Sequence, residues 1–330
     1  MTILGPAADA LHAALAAVAP GTPLRDGLDR VVRAKMGALV VLGDGPDVLA
    51  ICSGGFLLDA PYSPQRLSEL AKMDGAIILA ADGTRIARAN VHLVPDPTVP
   101  TSETGTRHRT AERVARSLQV PVVSVSEEMS VINVYAGGSK HQVQDITRLL
   151  DRANQALQTL ERYKARLVDS LSNLTALEIE DVVTVRDVAH VVQRGDMVRR
   201  LATELETMII ELGVDARLLR LQLDELYGEV DEEIELVHAD YPMITGNYAG
   251  IGLDGDAVAS PRGLRLLARV PRMTPALAVA VVERFGELAK LQRATIVDLS
   301  DIPEIGEHHA QAIKDTLDRL TESSILDQYN

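Results

Sequence analysis

Apolar positions along this chain change their period twice, and the changes divide it. Residues 1–20 are rich in Ala and Leu and predict a helix ending near Pro20 and Gly21, and residues 24–36 predict a second. Short apolar runs follow. Residues 38–42 and 48–52 predict two strands joined as a hairpin through Gly43-Asp44-Gly45-Pro46-Asp47. Residues 64–72 predict a helix with Leu67, Leu70 and Ala71 on one face, while 75–80, 86–94, 120–125 and 131–135 predict strands. Strands interleaved with helices at this spacing predict an α/β domain ending near Gly138. From Gln142 the period is helical: Ile146, Leu149, Leu150, Ala153, Leu157 and Leu160 step by three and four, and the rhythm returns in 185–212 and 218–237. Residues 241–260 are glycine-rich and read as a linker. Residues 261–330 are helical again, punctuated at Val270-Pro271-Arg272-Met273-Thr274 and at Ile302-Pro303-Glu304-Ile305-Gly306. Two such turns between helices predict a tandem helix-hairpin-helix module, which offers backbone N–H groups to DNA phosphates without reading bases.

The expected fold class is therefore a multidomain α/β plus all-α chain. It comprises an α/β domain at 1–140, a helical segment at 141–240, a linker at 241–260 and a hairpin domain at 261–330. Composition adds limits. The single cysteine, Cys52, rules out an internal disulfide, suits a reducing compartment and lies in an apolar run that predicts burial. No apolar run is long enough to span a bilayer and the N-terminus carries no leader pattern, so the expectation is a cytoplasmic protein with no membrane partner. The net charge of −14 is unevenly placed. Residues 146–240 carry 11 Lys+Arg against 20 Asp+Glu, whereas 1–145 carry 13 against 15 and 261–330 carry 9 against 10. The acidic middle is not a surface expected to lie along nucleic acid.

Chemistry concentrates in the first domain. Gly105-Thr106-Arg107-His108-Arg109-Thr110 runs into Ala111, Val114, Ala115 and Leu118, which form one apolar helical face. Cations at a helix start oppose the helix dipole, so three potential cations there indicate either a solvated basic turn or a strongly anionic ligand, best a phosphate chain. Met73-Asp74-Gly75-Ala76 precedes one strand and Ser126-Glu127-Glu128 follows another; each alone is an ordinary turn. Together they supply a carboxylate for Mg²⁺ or Mn²⁺, a glycine for close approach and cationic forks for phosphates, the set a nucleoside triphosphate needs. No GxxxxGK[ST] pattern occurs. Gly250-Ile251-Gly252-Leu253-Asp254-Gly255 satisfies GxGxxG, but neither a strand before it nor a helix after it supports a dinucleotide fold. His308 and His309 are adjacent, not at metal-ligand spacing.

Asp74-Gly75-Ala76 followed by Gly105-Thr106-Arg107-His108-Arg109 resembles the diadenylate cyclase family. The segment from Arg152 to Glu161 and the later Ser260-Pro261-Arg262-Gly263, leading into Leu266-Leu267-Ala268-Arg269-Val270-Pro271-Arg272, resemble its DNA integrity scanning branch. The resemblance implies a mixed sheet flanked by helices, a helical spine and terminal hairpins. It also implies condensation of two ATP into cyclic di-AMP across facing subunits of an even-numbered homo-oligomer, an octamer in that branch. Carried over by residue, Asp74 would bind the metal and help activate the 3′-hydroxyl. Gly75 and Ala76 would lie against the nucleoside and Leu93 against the adenine. Arg107, His108 and Arg109 would hold the phosphates, helped by Thr106, Thr110 and Ser126, with Glu128 as an added metal ligand. Arg272, Ile305 and Gly306 would meet DNA, weakly and without sequence preference, probes of branched DNA being the expected partner. Glu127-Glu128 and Glu304 depart from the pattern of that branch, Glu304 standing where a glycine is usual. The alternative is a DNA-binding scaffold that senses ATP without turning it over.

Overall fold

In the computed structural model, residues 6–245 and 254–328 are described. Contacts divide the chain into two compact units, Met1–Gln155 with Thr203–Gln222, and Ala156–Ala202 with Leu223–Asn330.

The first unit is built on an eight-stranded mixed sheet. Helices α1 (Pro6–Ala17) and α2 (Pro23–Arg33) lead into β1 (Ala38–Leu42), which continues through α3 (Pro46–Ala50), β2 (Cys52–Ser53), β3 (Phe56–Pro61) and α4 (Pro64–Leu70). Then come β4 (Ala76–Leu79), β5 (Arg85–Leu93), α5 (Thr106–Leu118), β6 (Val122–Val125), β7 (Ile132–Ala136) and β8 (Ser139–Gln142). The strand order is β2-β5-β4-β1-β6-β7-β8, with β3 also paired to β5; β1 and β4 run parallel and the other pairs antiparallel. Side chains alternate across this sheet as the pleat requires. Val40, Ile77, Leu79 and Val123 face Leu15, Leu28 and Leu67 of α1, α2 and α4. Leu39, Val41, Ile78 and Val91 face Ala111, Val114 and Ala115 of α5.

The sequence expectation for residues 48–52 is corrected here. Residues 46–50 form a helix, with Pro46 in its first turn and Gly45 at the N-cap, a position where the missing proline N–H costs nothing. Strand β1 pairs with β4 and β6, so no hairpin joins it to this run. Cys52 is half-buried in β2, not a core residue. Strands β3 and β8 went unread because their residues are mostly exposed and carry no apolar alternation.

Helix α6 (Ile146–Glu180) and α7 (Val185–Leu212) each contribute residues to both units. The run expected as one helix over 218–237 is two, α8 (Arg217–Tyr227) and α9 (Val230–Asp240), separated at Gly228, a poor helix former. After α10 (Pro242–Thr245), residues 246–253 lie outside the described chain, and with them most of the GxGxxG match; Gly255 accepts a hydrogen bond from the Arg186 N–H at 3.0 Å. The C-terminal part of the second unit holds α11 (Leu264–Leu267), α12 (Pro275–Phe285), α13 (Leu288–Arg293), α14 (Ile296–Ser300) and α15 (Glu307–Gln328), packed around Leu266, Leu267, Val281, Leu299, Ile305 and Ile313.

Candidate active site

The sheet brings three distant segments to one end. Strands β1 and β4 begin there, β5 and β6 finish there, and α5 starts there. A cleft of about 460 Å³ opens between them, lined by Gly75 and Ala76, by Val91 to Leu93, by Gly105 to His108 with Thr110, and by Ser126 to Glu128, with Leu39 at its floor. Among the expected site residues, Gly75, Ala76, Leu93, Thr106, Arg107, His108, Thr110, Ser126 and Glu128 therefore share one cavity. Asp74 and Arg109 are exposed and do not line it, although each adjoins residues that do. Leu39, Val91, His92, Gly105 and Glu127 complete the lining.

Local structure explains the convergence. Helix α5 starts at Thr106, so Arg107, His108 and Arg109 occupy its first turn rather than a loop before it. Gly105 is the N-cap and provides no side-chain acceptor, and no acidic residue stands in the first turn. The first-turn N–H groups and the guanidinium of Arg107 thus gather positive potential at the cleft without internal compensation. The segment leading in is pinned to the helix. The buried Glu112 carboxylate accepts from Thr101 Oγ1 at 2.5 Å and from the Ser102 N–H at 3.0 Å, and pairs with Arg116 at 2.8 Å. Arg113 and Arg116 donate to the carbonyls of Val99 and Pro100.

Opposite, Gly75 adopts φ +112° with the Asn90–Val91 backbone pressed against it; a Cβ would lie 2.8 Å from the Asn90 carbonyl carbon. Only glycine fits that contact. The Ser126 Oγ accepts from the Met129 N–H at 3.2 Å, which leaves its own proton for an acceptor in the cleft.

His108 departs from the sequence expectation of three cations. Burial pushes its pKa below the ordinary imidazole value, with Lys140 and Arg107 acting in the same direction against Glu103. The shift favours the uncharged imidazole, so His108 adds less positive charge to the first turn than the arginines beside it. Its Nε2 lies 3.4 Å from the Asn133 Nδ2 on β7. Next along that face, the Tyr135 hydroxyl donates to Glu103 at 3.2 Å, and Lys140 pairs with Glu103 at 2.6 Å. Arg107 rests against the backbone of Gly37, where a side chain would overlap its guanidinium.

The donor set fits a shared metal better than a resident one. Among the described residues no group of three His, Cys, Asp or Glu is placed to hold an ion. Mg²⁺ bound with a nucleotide takes one or two protein carboxylates plus phosphate and water oxygens; Glu127 and Glu128 line the cleft and Asp74 adjoins Gly75 of its lining.

In the second unit the two hairpin turns match residue for residue. Arg272 (φ +63°) and Glu304 (φ +74°) both take the left-handed conformation, and the Met273 and Ile305 N–H groups both return to the carbonyls of Val270 and Ile302 at 3.1 Å. This corrects the expectation for Ile305. Its side chain is in the core and its N–H is spent inside the turn, so it has nothing to offer DNA. Arg272 and Gly306 are exposed. Beside Arg272 a cleft of about 770 Å³ is lined by His308, His309 and Arg319, but also by Asp315, Asp318 and Glu322.

Comparison with known proteins agrees with this architecture. Residues 25–140 match the model of the DisA bacterial checkpoint controller nucleotide-binding domain, 143–248 that of the DisA linker region, and 264–319 that of the SAM-like helix-hairpin-helix tandem. Curated relatives are similar over nearly their whole length. The DNA integrity scanning protein DisA of Frankia alni is 49% identical, covering 98% of this chain and 99% of its own. That of Frankia casuarinae is 50% identical over the same shares, and that of Streptomyces coelicolor 48% identical over 97% and 94%. The cleft built from Gly75, the first turn of α5 and Ser126 thus sits in the nucleotide-binding domain of that family, and the chain belongs to the DisA family of diadenylate cyclases.

Proposed function

We propose that this protein condenses two ATP molecules into cyclic di-AMP and two pyrophosphates. The observation that carries the reading is the meeting of Gly75-Ala76, the first turn of α5 and Ser126 in one cleft of nucleotide size. Each 3′-hydroxyl oxygen attacks the α-phosphorus of the other ATP. A new P–O bond forms as the bond to pyrophosphate breaks, and the hydroxyl proton passes to Asp74 or to water. Arg107 and the α5 N–H groups stabilise the charge that grows on the phosphates, His108 and Ser126 donate to phosphate oxygens, and Arg109 meets the outer phosphates from the rim. Ala76 and Leu93 pack against the nucleoside, with Thr106 and Thr110 bordering the phosphates. A divalent cation held by Asp74, with Glu128 beside it, would neutralise phosphate charge as a Lewis acid.

One cleft holds one ATP, so the reaction needs two copies face to face, and an even-numbered oligomer follows. The functional division we assign is a cyclase domain at 1–140, a helical segment at 141–240, a linker at 241–260 and a hairpin domain at 261–330. DNA contact through Arg272 and Gly306 would be weak and independent of sequence, because acidic residues crowd the neighbouring cleft. Incubation with ATP and Mn²⁺, read by chromatography for cyclic di-AMP, tests the reading. Product from the wild type and its loss in Asp74→Asn are expected. ATP binding with no product would instead favour the scaffold that senses ATP.

A further inference from the structure

Asn133 lies deep in the sheet, 3% exposed, between Ser124 of β6 and Gln142 of β8 in register. A buried carboxamide on an internal strand needs a reason, because its polar atoms lose water and must be repaid by partners. The partner it has is a cleft residue. Its Nδ2 stands 3.4 Å from Nε2 of His108, while the other ring nitrogen, Nδ1, faces Gly105 at the helix start. With the amide nitrogen toward the ring, as placed here, Nε2 holds the lone pair and the proton of the uncharged ring sits on Nδ1. That is the nitrogen turned toward the α5 N-terminus, where a phosphate would lie.

We propose that Asn133 is a positioning residue for His108: it fixes the ring tautomer that carries its proton on Nδ1 and so turns an N–H donor toward the phosphates. The inference rests on the nucleotide-binding reading of the cleft. The opposite arrangement, with the Asn133 carbonyl toward the ring, would put the proton on Nε2 and a lone pair toward phosphate oxygens, an unfavourable contact. The groups around the ring act in the same sense. Arg107 and Lys140 disfavour a second proton, whereas Glu103, which favours one, is already engaged by Lys140 and the Tyr135 hydroxyl. The long Asn133 contact is of the kind that shortens when substrate closes a site.

Two isosteric changes test this in the full chain. Asn133→Leu removes the tautomer control, and kcat/KM for ATP should fall about tenfold or more, equally across pH. Asn133→Asp puts an acceptor opposite Nε2, which then claims the proton; Nδ1 can donate only while the ring is doubly protonated. The Asp variant should therefore keep activity near about pH 6 and lose it as pH rises through the raised histidine pKa, an alkaline limb the wild type lacks. A purely structural role predicts one uniform reduction for Asp at every pH. Heteronuclear NMR of the histidine-labelled full chain, assigned with His108→Gln, reads the tautomer without any turnover. An Nε2–H ring in the wild type, an unchanged kcat/KM in Asn133→Leu, or a pH profile of Asn133→Asp parallel to the wild type would overturn the proposal. Absence of cyclic di-AMP from the wild type would instead count against the cyclase reading and leave the NMR result to decide the tautomer.

Discussion

At the scale of single residues, the cleft depends on what two glycines leave out. Gly75 admits the Asn90–Val91 backbone, and Gly37 admits the guanidinium of Arg107. The two differ in what a methyl group would disturb. At Gly75 it would strike backbone in a strand, in a conformation that costs an L-residue about 1–2 kcal/mol, so Gly75→Ala should destabilise the first unit measurably in thermal unfolding. At Gly37 it would meet only the mobile end of an arginine. Gly37→Ala should unfold within about 0.5 kcal/mol of the wild type, yet lose on the order of tenfold to a hundredfold in kcat/KM, because a phosphate-binding group displaced by about an ångström loses most of its effect. Equal losses of stability and activity would argue against that role for Gly37. Asp74→Asn is expected to cost about a hundredfold or more in product formation, measured by chromatography, since it removes the carboxylate proposed to hold the metal. The sequence made Asp74, Gly75 and the Arg107-His108-Arg109 run legible because type and order carry their chemistry. Gly37 and Asn133 were not legible. One glycine and one asparagine among many meet the cleft only through a neighbour 70 and 25 positions away in the chain.

Among the elements, α5 and the two hairpins show how far periodicity reaches. The apolar face of Ala111, Val114 and Ala115 is buried as its spacing requires. The pattern placed the start of the helix too late, because Arg107 and His108 look like loop residues until their backbone is seen to be helical. In residues 46–52 the apolar run was too short for its period to separate strand from helix, and the proline at the helix start decided for helix. The hairpins were legible as punctuation, but their equivalence is conformational: Arg272 and Glu304 share a left-handed backbone that neither side chain favours. Glu304→Gly should therefore stabilise the second unit by about 0.5–1 kcal/mol in thermal unfolding and strengthen binding to duplex DNA in low salt, since it removes strain and a negative charge together. Tighter folding without tighter DNA binding would leave the second hairpin as a packing element.

At the scale of the whole molecule, one buried cluster ties residues far apart in sequence. Asp240 accepts from the N–H groups of Gly263, Leu264 and Arg265 at 2.6–2.8 Å, the Tyr241 hydroxyl donates to Glu178 at 2.9 Å, and Arg265 lies 3.6 Å from Glu178. Burial raises the Glu178 pKa from 4.5 to about 7, more than Arg265 lowers it. The folded state thus binds this proton more tightly than the unfolded chain. The stability it contributes is fully present below the unfolded value of 4.5 and is lost as pH rises to about 7. Glu178→Gln should match the wild type near about pH 5, where Glu178 is neutral, and show a shallower fall of melting temperature toward about pH 8. Parallel melting curves across that range would exclude Glu178 as the source.

The sequence by itself determined the class of the fold and the segments that meet in the cleft. The periods of apolar residues set most of the strands and helices, the segments 46–53, β3 and β8 excepted, and basic residues at a helix start point to an anion. It also fixed the membership of the family, which nearly full-length relatives share. Tertiary structure alone decided which residues stand behind the cleft, that burial lowers the His108 pKa, that Ile305 turns inward and that Glu178 is buried beside Arg265. Each of these depends on the dielectric and the partners around a side chain, and those are set by residues distant in the chain that only folding brings together.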